Sequence, residues 1–291
     1  MEQSNITEII INAINSIFET LLSSIDNSLY SVLDDMTFIN SDILHDKYFE
    51  NIFGTSTTNG ILLIANSLLL GFILYYGFKY LMSHITYQRV DSPFSFIIKI
   101  ILFGICMNFS FFIVQLILDL NSNISLAIRS LGKNLFNSEI SFSQLINTIN
   151  THISVDTSSL NIFSVDGLIK STLSLSLLNL VFSYSFRYIM VKVFILLSPF
   201  AFLSLCLENT SWFFKSWLKN LFSLLFIQII VSLVLLILFS LDFSSSNLFN
   251  KFVYVGGIYS LIKANSFVRE FIGGVSTNIS QSVKSFAGFK K

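Results

Sequence analysis

The chain has 291 residues, of which 53% are hydrophobic and 12% are charged, and its formal net charge is zero. Soluble domains carry about a quarter charged residues, so this composition indicates an integral membrane protein, and the balanced charge excludes nucleic-acid recruitment by a global basic field. Two cysteines exclude a disulfide framework, and the sequence has no phosphate-binding loop, nucleophile elbow or zinc-type histidine spacing. The sequence therefore predicts a protein that is not an enzyme and has no cofactor or metal.

Residues 1–60 precede the first long apolar run and form a predicted extracytoplasmic N-terminal segment. Isoleucine and leucine recur at steps of three or four residues between Ile6 and Ile25, with acidic side chains between them. This spacing is typical of an amphipathic helix. Two interpretations stay open: the helix lies on the membrane or on the protein's own outer face, or it docks a partner.

The first two transmembrane helices are predicted within residues 61–118. The run 61–82 is 22 residues long and reaches about 33 Å as a helix, which is enough to cross a hydrocarbon core of about 30 Å. Three tyrosines and Lys79 cluster at its end, as an aromatic belt with a snorkelling cation does. The second run is 97–118, and Lys99 lies near its start.

Residues 119–167 are predicted to form a long extracytoplasmic loop, rich in serine and asparagine. The loop contains an apolar patch, within which we single out Phe142, Leu145 and Ile149. Exposed apolar patches commonly mark contacts, so the patch is predicted to dock an extracytoplasmic partner. The alternative is that these side chains pack onto the protein's own membrane surface.

Residues 168–264 form the predicted transmembrane core, which contains the longest apolar stretch of the chain, 173–207. We expect one long helix that runs past the membrane face and breaks at Pro199, because proline lacks a backbone donor. The segment PFAFLSLCL then forms a predicted elbow or gate. In an oligomer, Pro199, Phe200 and Phe202 of this segment are expected to form a ring that seals a path; the alternative is a lipid-facing interfacial turn.

Tryptophan and lysine alternate directly after the elbow. Trp212, Lys215 and Trp217 are predicted interfacial anchors, since this residue mixture is typical of the membrane–water boundary. A further apolar span is predicted at 221–241, a weak fifth span at 252–264, and a polar cytoplasmic tail at 265–291. The predicted fold is therefore an all-α transmembrane bundle of about five spans.

The positions of lysine and arginine decide the predicted orientation. With five spans and an outside N-terminus, 12 of the 17 basic residues lie on the cytoplasmic side, as the positive-inside rule requires, and the C-terminus is cytoplasmic. Lys99, Arg187 and Lys192 are then near-membrane cations. Arg187 and Lys192 either anchor their helix at the cytosolic face, or one of them faces a water-filled path or a partner subunit.

The stretch 192–237 reads KVFILLSPFAFLSLCLENTSWFFKSWLKNLFSLLFIQIIVSLVLLI. A helix runs into a proline-containing apolar segment, and then come a polar turn, an aromatic-rich helix and a long span with a glutamine. This pattern resembles the TrbL/VirB-six family of type IV secretion and conjugation systems. The residues that carry the resemblance are Pro199, Trp212, Phe213, Trp217 and Gln228. The stretch YSLIKANSFVREFIGGVSTNISQS is similar to the C-terminal segment of Gram-positive members, so the resemblance covers roughly residues 170–280.

The resemblance implies a multi-pass channel or scaffold subunit of the bacterial cytoplasmic membrane that helps DNA–protein substrate across. The implied partners are other type IV secretion membrane subunits and ATPases, further copies of the chain, the lipid bilayer and, transiently, the translocating substrate. Two alternatives remain open: a subunit of a secondary transporter or ABC-type permease, and a purely structural membrane scaffold. A permease is expected to show inverted repeats or discontinuous paired helices, and the sequence has no convincing internal repeat.

Overall fold

The computed structural model describes residues 9–10, 13–14, 16–17, 27–54, 60–86, 92–152, 165–241 and 248–273. The described residues contain helices and no strand, which confirms the predicted all-α fold. From Asn27 onward the described residues form ten α-helices: α1 (Asn27–Thr37), α2 (Lys47–Phe53), α3 (Ile61–Thr86), α4 (Pro93–Asn108), α5 (Ser110–Phe136), α6 (Phe142–His152), α7 (Val165–Leu196), α8 (Ser198–Leu203), α9 (Ser211–Phe239) and α10 (Leu248–Ile272).

Four described helical segments are long and apolar enough to cross a membrane: Ile61–Ile85, Ser110–Phe136, Leu175–Leu196 and Glu208–Phe239. The chain is therefore a multi-pass helical membrane protein. Helix α4 is apolar but shorter, and α10, which contains the predicted weak fifth span, is not among the four.

Helices α3 and α4 form an antiparallel pair. The side chain of Asn66, near the start of α3, donates to Asn108 Oδ1 at the end of α4 over 3.2 Å. Toward the other end of the pair, the rings of Tyr76 and Phe96 stack with centroids 3.6 Å apart. Only 11% of the α3 span is buried, so most of this helix faces outward.

The predicted second span and the predicted loop after it have the wrong bounds. Helix α4 ends at Asn108 and α5 begins at Ser110, so the run 97–118 is divided at Phe109. Residues predicted to open the loop 119–167 instead continue α5 to Phe136, and a second part of that loop forms α6. Residues 119–136 contain several polar side chains and were therefore assigned to the loop, but Asn121, Ser122 and Ser125 are buried inside the bundle.

Helix α9 is the central helix of the bundle. Of its most apolar window, 56% is buried, against neighbours α5, α7, α8 and α10. Helix α10 comes close to α9 at Gly257, where an added Cβ would meet the end of the Leu238 side chain. Glycine at this position therefore permits the close packing of the two helices.

Residues 27–54 form an N-terminal segment that packs on α5 and α7. Its helices are capped by side chains and by glycine: Asp46 accepts from the Tyr48 N–H, and Gly54 ends α2 with a φ of 93°. Leu33, Leu44 and Phe53 of this segment are fully buried. The predicted amphipathic helix before it is described only at residues 9–10, 13–14 and 16–17, which are helical.

The long helix and its break at the elbow are confirmed. Helix α7 is 32 residues long, about 48 Å, and α8 begins with Pro199 in its first turn. Proline cannot donate to the carbonyl of Ile195, four residues earlier, so the continuous ladder of α7 stops there. Two 3₁₀ turns, Ser204–Cys206 and Glu208–Thr210, then lead into α9.

Candidate functional site

A buried polar seam joins α5 and α9. Asn121 Nδ2 donates to Gln228 Oε1 over 3.3 Å, and the hydroxyls of Ser125 and Ser232 are 2.7 Å apart. The partners in both pairs are 107 positions apart in the chain, so the two helices run parallel. Hydrogen bonds between polar side chains are a main source of helix–helix affinity in membranes, and these four residues are at most 8% exposed.

Arg187 lies in the middle of the α7 span and is 1% exposed. Its Nε donates to the Leu224 carbonyl of α9 over 2.7 Å, and its Nη1 donates to the Thr37 carbonyl at the end of α1 over 2.9 Å. A cation at the C-terminal end of a helix is favoured by the helix dipole. The guanidinium is thus held by backbone dipoles of α1 and α9, and none of the described ion pairs includes it.

Asp34 of α1 caps a helix that begins more than one hundred residues later. Its carboxylate accepts from the Phe142 N–H over 2.8 Å, from the Ser143 N–H over 3.1 Å and from the Ser143 hydroxyl over 2.6 Å. These groups form the N-terminus of α6, where backbone donors lack intrahelical partners and a negative charge is stabilising. Asp34 therefore fastens α6 to the N-terminal segment.

Two further cations bind the N-terminal segment. Arg129 of α5 donates from Nε to the Ile140 carbonyl over 2.7 Å, and its guanidinium lies 4.0 Å from the ring centroid of Phe38. Lys192 of α7 has its Nζ 3.8 Å from Asp46 Oδ2. The segment is therefore held by basic side chains of two different membrane helices, in addition to Arg187.

These contacts correct the predicted positions of Arg187 and Lys192. The predicted topology placed residues 1–60 and these two cations on opposite sides of the membrane, whereas residues 37 and 46 contact them directly. The prediction that the two cations and the N-terminal segment lie on opposite sides is therefore wrong. The cytoplasmic set falls from 12 to 10 of the 17 basic residues, still the majority, so the orientation itself stays a prediction.

Lys99 lies at the other end of the molecule, near the start of α4. Its Nζ is 3.1 Å from Glu208 Oε1, in the turn before α9. This pair brings the beginning of α4 and the beginning of α9 together.

The elbow is packed into the protein's own core. Pro199 is buried, Phe202 is 8% exposed and Phe200 is half-buried. The ring of Phe202 lies 5.8 Å, centroid to centroid, from that of Trp217. A sealing ring of Phe202 side chains contributed by several copies is therefore wrong, because this side chain already fills the core of its own chain.

The predicted anchors divide into two kinds. Trp212 is 66% exposed and Lys215 is exposed, as an interfacial position requires. Trp217 is 2% exposed, and its indole N–H donates to the Phe194 carbonyl in the last turns of α7 over 2.7 Å. Trp217 is therefore a core residue that fastens α9 to α7, and the prediction of an anchor is wrong for it.

The predicted docking patch is mostly internal. Phe142 and Leu145 are each 1% exposed and belong to the hydrophobic core formed with α1, α7 and α9. The side chain of Ile149 lies outside the described residues. The first two side chains therefore pack inside their own chain and are not exposed for a partner.

Sequence reasoning singled out Gln228 but missed its α5 partners, because residues 119–136 were assigned to a loop. A signal was present: Asn121, Ser125 and Arg129 are spaced by four, which places them on one face of a helix. Within the described residues, no group of three or more histidine, cysteine, aspartate or glutamate side chains is arranged to hold a metal ion.

The fold and this seam define the class of the protein, a multi-pass membrane bundle with an N-terminal segment built into it. The sequence matches no protein-family model and no curated protein.

Proposed function

We propose that the chain is a membrane subunit of a bacterial type IV secretion or conjugation system, resident in the cytoplasmic membrane. It acts there as a scaffold that helps a complex of several chains pass DNA–protein substrate. The resemblance of residues 192–237 to the TrbL/VirB-six family supports this proposal, as does the helical, multi-pass fold.

The observation that carries the scaffold role is the pairing of buried polar side chains inside the bundle. A carrier places its substrate between helices near the bilayer midplane, where polar side chains remain available to the ligand. Here Arg187 binds two backbone carbonyls and Gln228 binds Asn121. These interactions hold Arg187 Nε, Arg187 Nη1 and the Gln228 amide oxygen within one chain, which favours a scaffold over a secondary transporter. Among the described residues, the buried Arg187 Nη2 has no hydrogen-bond partner.

The outward faces fit a subunit that meets neighbours in the membrane. Leu70 and Phe78 of α3 are 63% and 69% exposed. An apolar helix of this kind is covered by lipid, by a second copy or by another membrane subunit. A substrate path, under this proposal, forms between chains, and separate ATPases provide the energy.

Gene deletion in a donor cell that carries the transfer element tests the proposal. We expect DNA transfer to fall to background and to return with a plasmid-borne copy, while the relaxase still cleaves the transfer origin. Unchanged transfer in the deletion strain would overturn the proposal.

A crosslinking experiment tests the scaffold role separately. A photo-crosslinking amino acid at Phe78 is expected to capture a membrane subunit encoded by the same transfer element, or a second copy of the chain. The matched control is the fully buried Leu118 of α5, which should yield neither product. If position 78 captures lipid alone in cells that transfer DNA normally, the proposed scaffold contact through α3 is wrong.

A further inference from the structure

A cavity of about 470 Å³ lies between α3, the start of α4 and the turn that precedes α9. Its apolar lining includes Phe72 and the stacked rings of Tyr76 and Phe96. Cys206, on the elbow side, is 1% exposed. These side chains form a surface that accepts hydrocarbon and offers little to a fully hydrated solute.

The rim of the same cavity carries a positive charge. Lys79 lies on the rim, is exposed and takes part in none of the described ion pairs. Glu208 also lies on the rim, but it is paired with Lys99 over 3.1 Å. Because Lys99, which does not line the cavity, neutralises Glu208, the charge of Lys79 favours an anionic group beside it.

Several residues at and beside the cavity are of the types found at the membrane–water boundary. Lys79 lies within the last two turns of the span Ile61–Ile85, and the half-exposed Tyr75 lies one turn before it. On the other side, Trp212 is 66% exposed and follows Thr210 of the rim by two positions. Tyrosine, tryptophan and lysine together are enriched at this depth, so an occupant of the cavity is amphipathic.

We propose that this cavity binds an anionic phospholipid, with the headgroup phosphate beside Lys79 and the upper part of an acyl chain against Phe72 and Phe96. The outward surface of α3 continues from the cavity toward the bilayer centre. Gly71 leaves open space there, since an added Cβ would meet nothing within 4 Å. This gives the rest of the acyl chain a route into the membrane.

The test is lipid retention by the purified full chain in detergent, measured by native mass spectrometry during titration with phosphatidylglycerol or phosphatidylcholine. The unmodified chain is expected to retain phosphatidylglycerol preferentially. Lys79→Ala is expected to weaken this binding about fivefold, because one lysine contributes about 1 kcal/mol toward an anionic lipid surface. Asn209→Trp, which fills the cavity from its exposed rim without changing charge, is expected to abolish the preference.

Lys215→Ala is the matched control, because Lys215 is also exposed but does not line the cavity. Equal losses for Lys79→Ala and Lys215→Ala, with no effect of Asn209→Trp, would show lipid at the general protein surface only and would overturn the site. Displacement of the lipid by inorganic phosphate would also overturn it, since the apolar lining would then contribute nothing. Thermal midpoints of the lipid-free variants identify any that fail to fold. The assay uses purified protein, so it is independent of the proposed function.

Discussion

The carboxylate of Asp34 decides whether α6 stays attached to the N-terminal segment. Asp34→Ala removes one side chain and leaves two backbone N–H groups and the Ser143 hydroxyl without their acceptor. The substitution does not create a cavity in the core, because Asp34 is only half-buried. Its effect therefore reports the capping interaction.

The magnitude follows from the bonds that are lost. Three hydrogen bonds to a charged acceptor, at about 1.5 kcal/mol each, give an upper bound of about 4.5 kcal/mol. Loss of an ordinary N-cap costs up to about 2 kcal/mol, which gives the lower value, because water replaces part of the interaction at a half-buried site. We expect Asp34→Ala to lower the free energy of local opening of α6 by about 2–4 kcal/mol, and Asp34→Asn, which keeps one acceptor oxygen, by less.

Amide hydrogen exchange of the purified protein in detergent measures this free energy at α6 directly. A loss of about 2–4 kcal/mol corresponds to protection factors in Phe142–His152 that are lower by roughly 30- to 1,000-fold. The amides at the centre of α9 are an internal reference, since they pack within the core of the bundle.

Asp35→Ala is the matched control, because Asp35 is the adjacent carboxylate, is exposed and forms none of the described hydrogen bonds. It changes the net charge by the same amount and should alter protection less than threefold. If both variants lower the protection of α6 equally, the capping argument is wrong and the effect is one of charge alone.

Three other predictions follow from particular positions. Gly257→Ala should destabilise the detergent-solubilised protein by about 1–3 kcal/mol through overpacking against α9, whereas Gly256→Ala, which meets open space, should be neutral or stabilising by up to about 1 kcal/mol; thermal unfolding distinguishes them. Burial raises the pKa of the Cys206 thiol to about 11. In a variant that lacks the other cysteine, the rate of alkylation of Cys206 should therefore rise about tenfold per pH unit from pH 8 toward 11. A rate that reaches a plateau above pH 9 would contradict this. Tyr48→Cys, at a residue that is 79% exposed, should react with a membrane-impermeant maleimide from outside the cell, and Trp212→Cys only after permeabilisation; the reverse pattern would refute the predicted orientation.

Part of the fold was readable from the sequence because the signal is local. The span 61–82 is apolar on all sides, and α3 is indeed mostly exposed, so summed hydropathy was sufficient to find it. The break at Pro199 was equally local, since proline acts on its own helix whatever surrounds it. The exposed Trp212 and Lys215 followed from residue type in the same way.

The sequence predictions were wrong where the free energy of burying a polar side chain depends on a partner that is distant in the sequence. Residues 119–136 contain enough polar side chains to be taken for a loop, yet Asn121 and Ser125 are satisfied by residues 107 positions away on α9. Trp217 has the residue type of an interfacial anchor but finds an acceptor in α7. A composition window contains no information about such partners.

The sequence by itself determined that the protein is a helical, multi-pass membrane protein, because 53% hydrophobic residues in runs of membrane-spanning length leave few other solutions. Only the tertiary structure decided the places of Arg187 and Asp34. The buried guanidinium of Arg187 requires hydrogen-bond acceptors, and the carbonyls of residues 37 and 224 provide them. The carboxylate of Asp34 is stabilised by the free backbone N–H groups at the N-terminus of α6. These partners meet through three-dimensional packing, so the N-terminal segment, which the sequence predicted to lie apart from these cations, is built into the bundle.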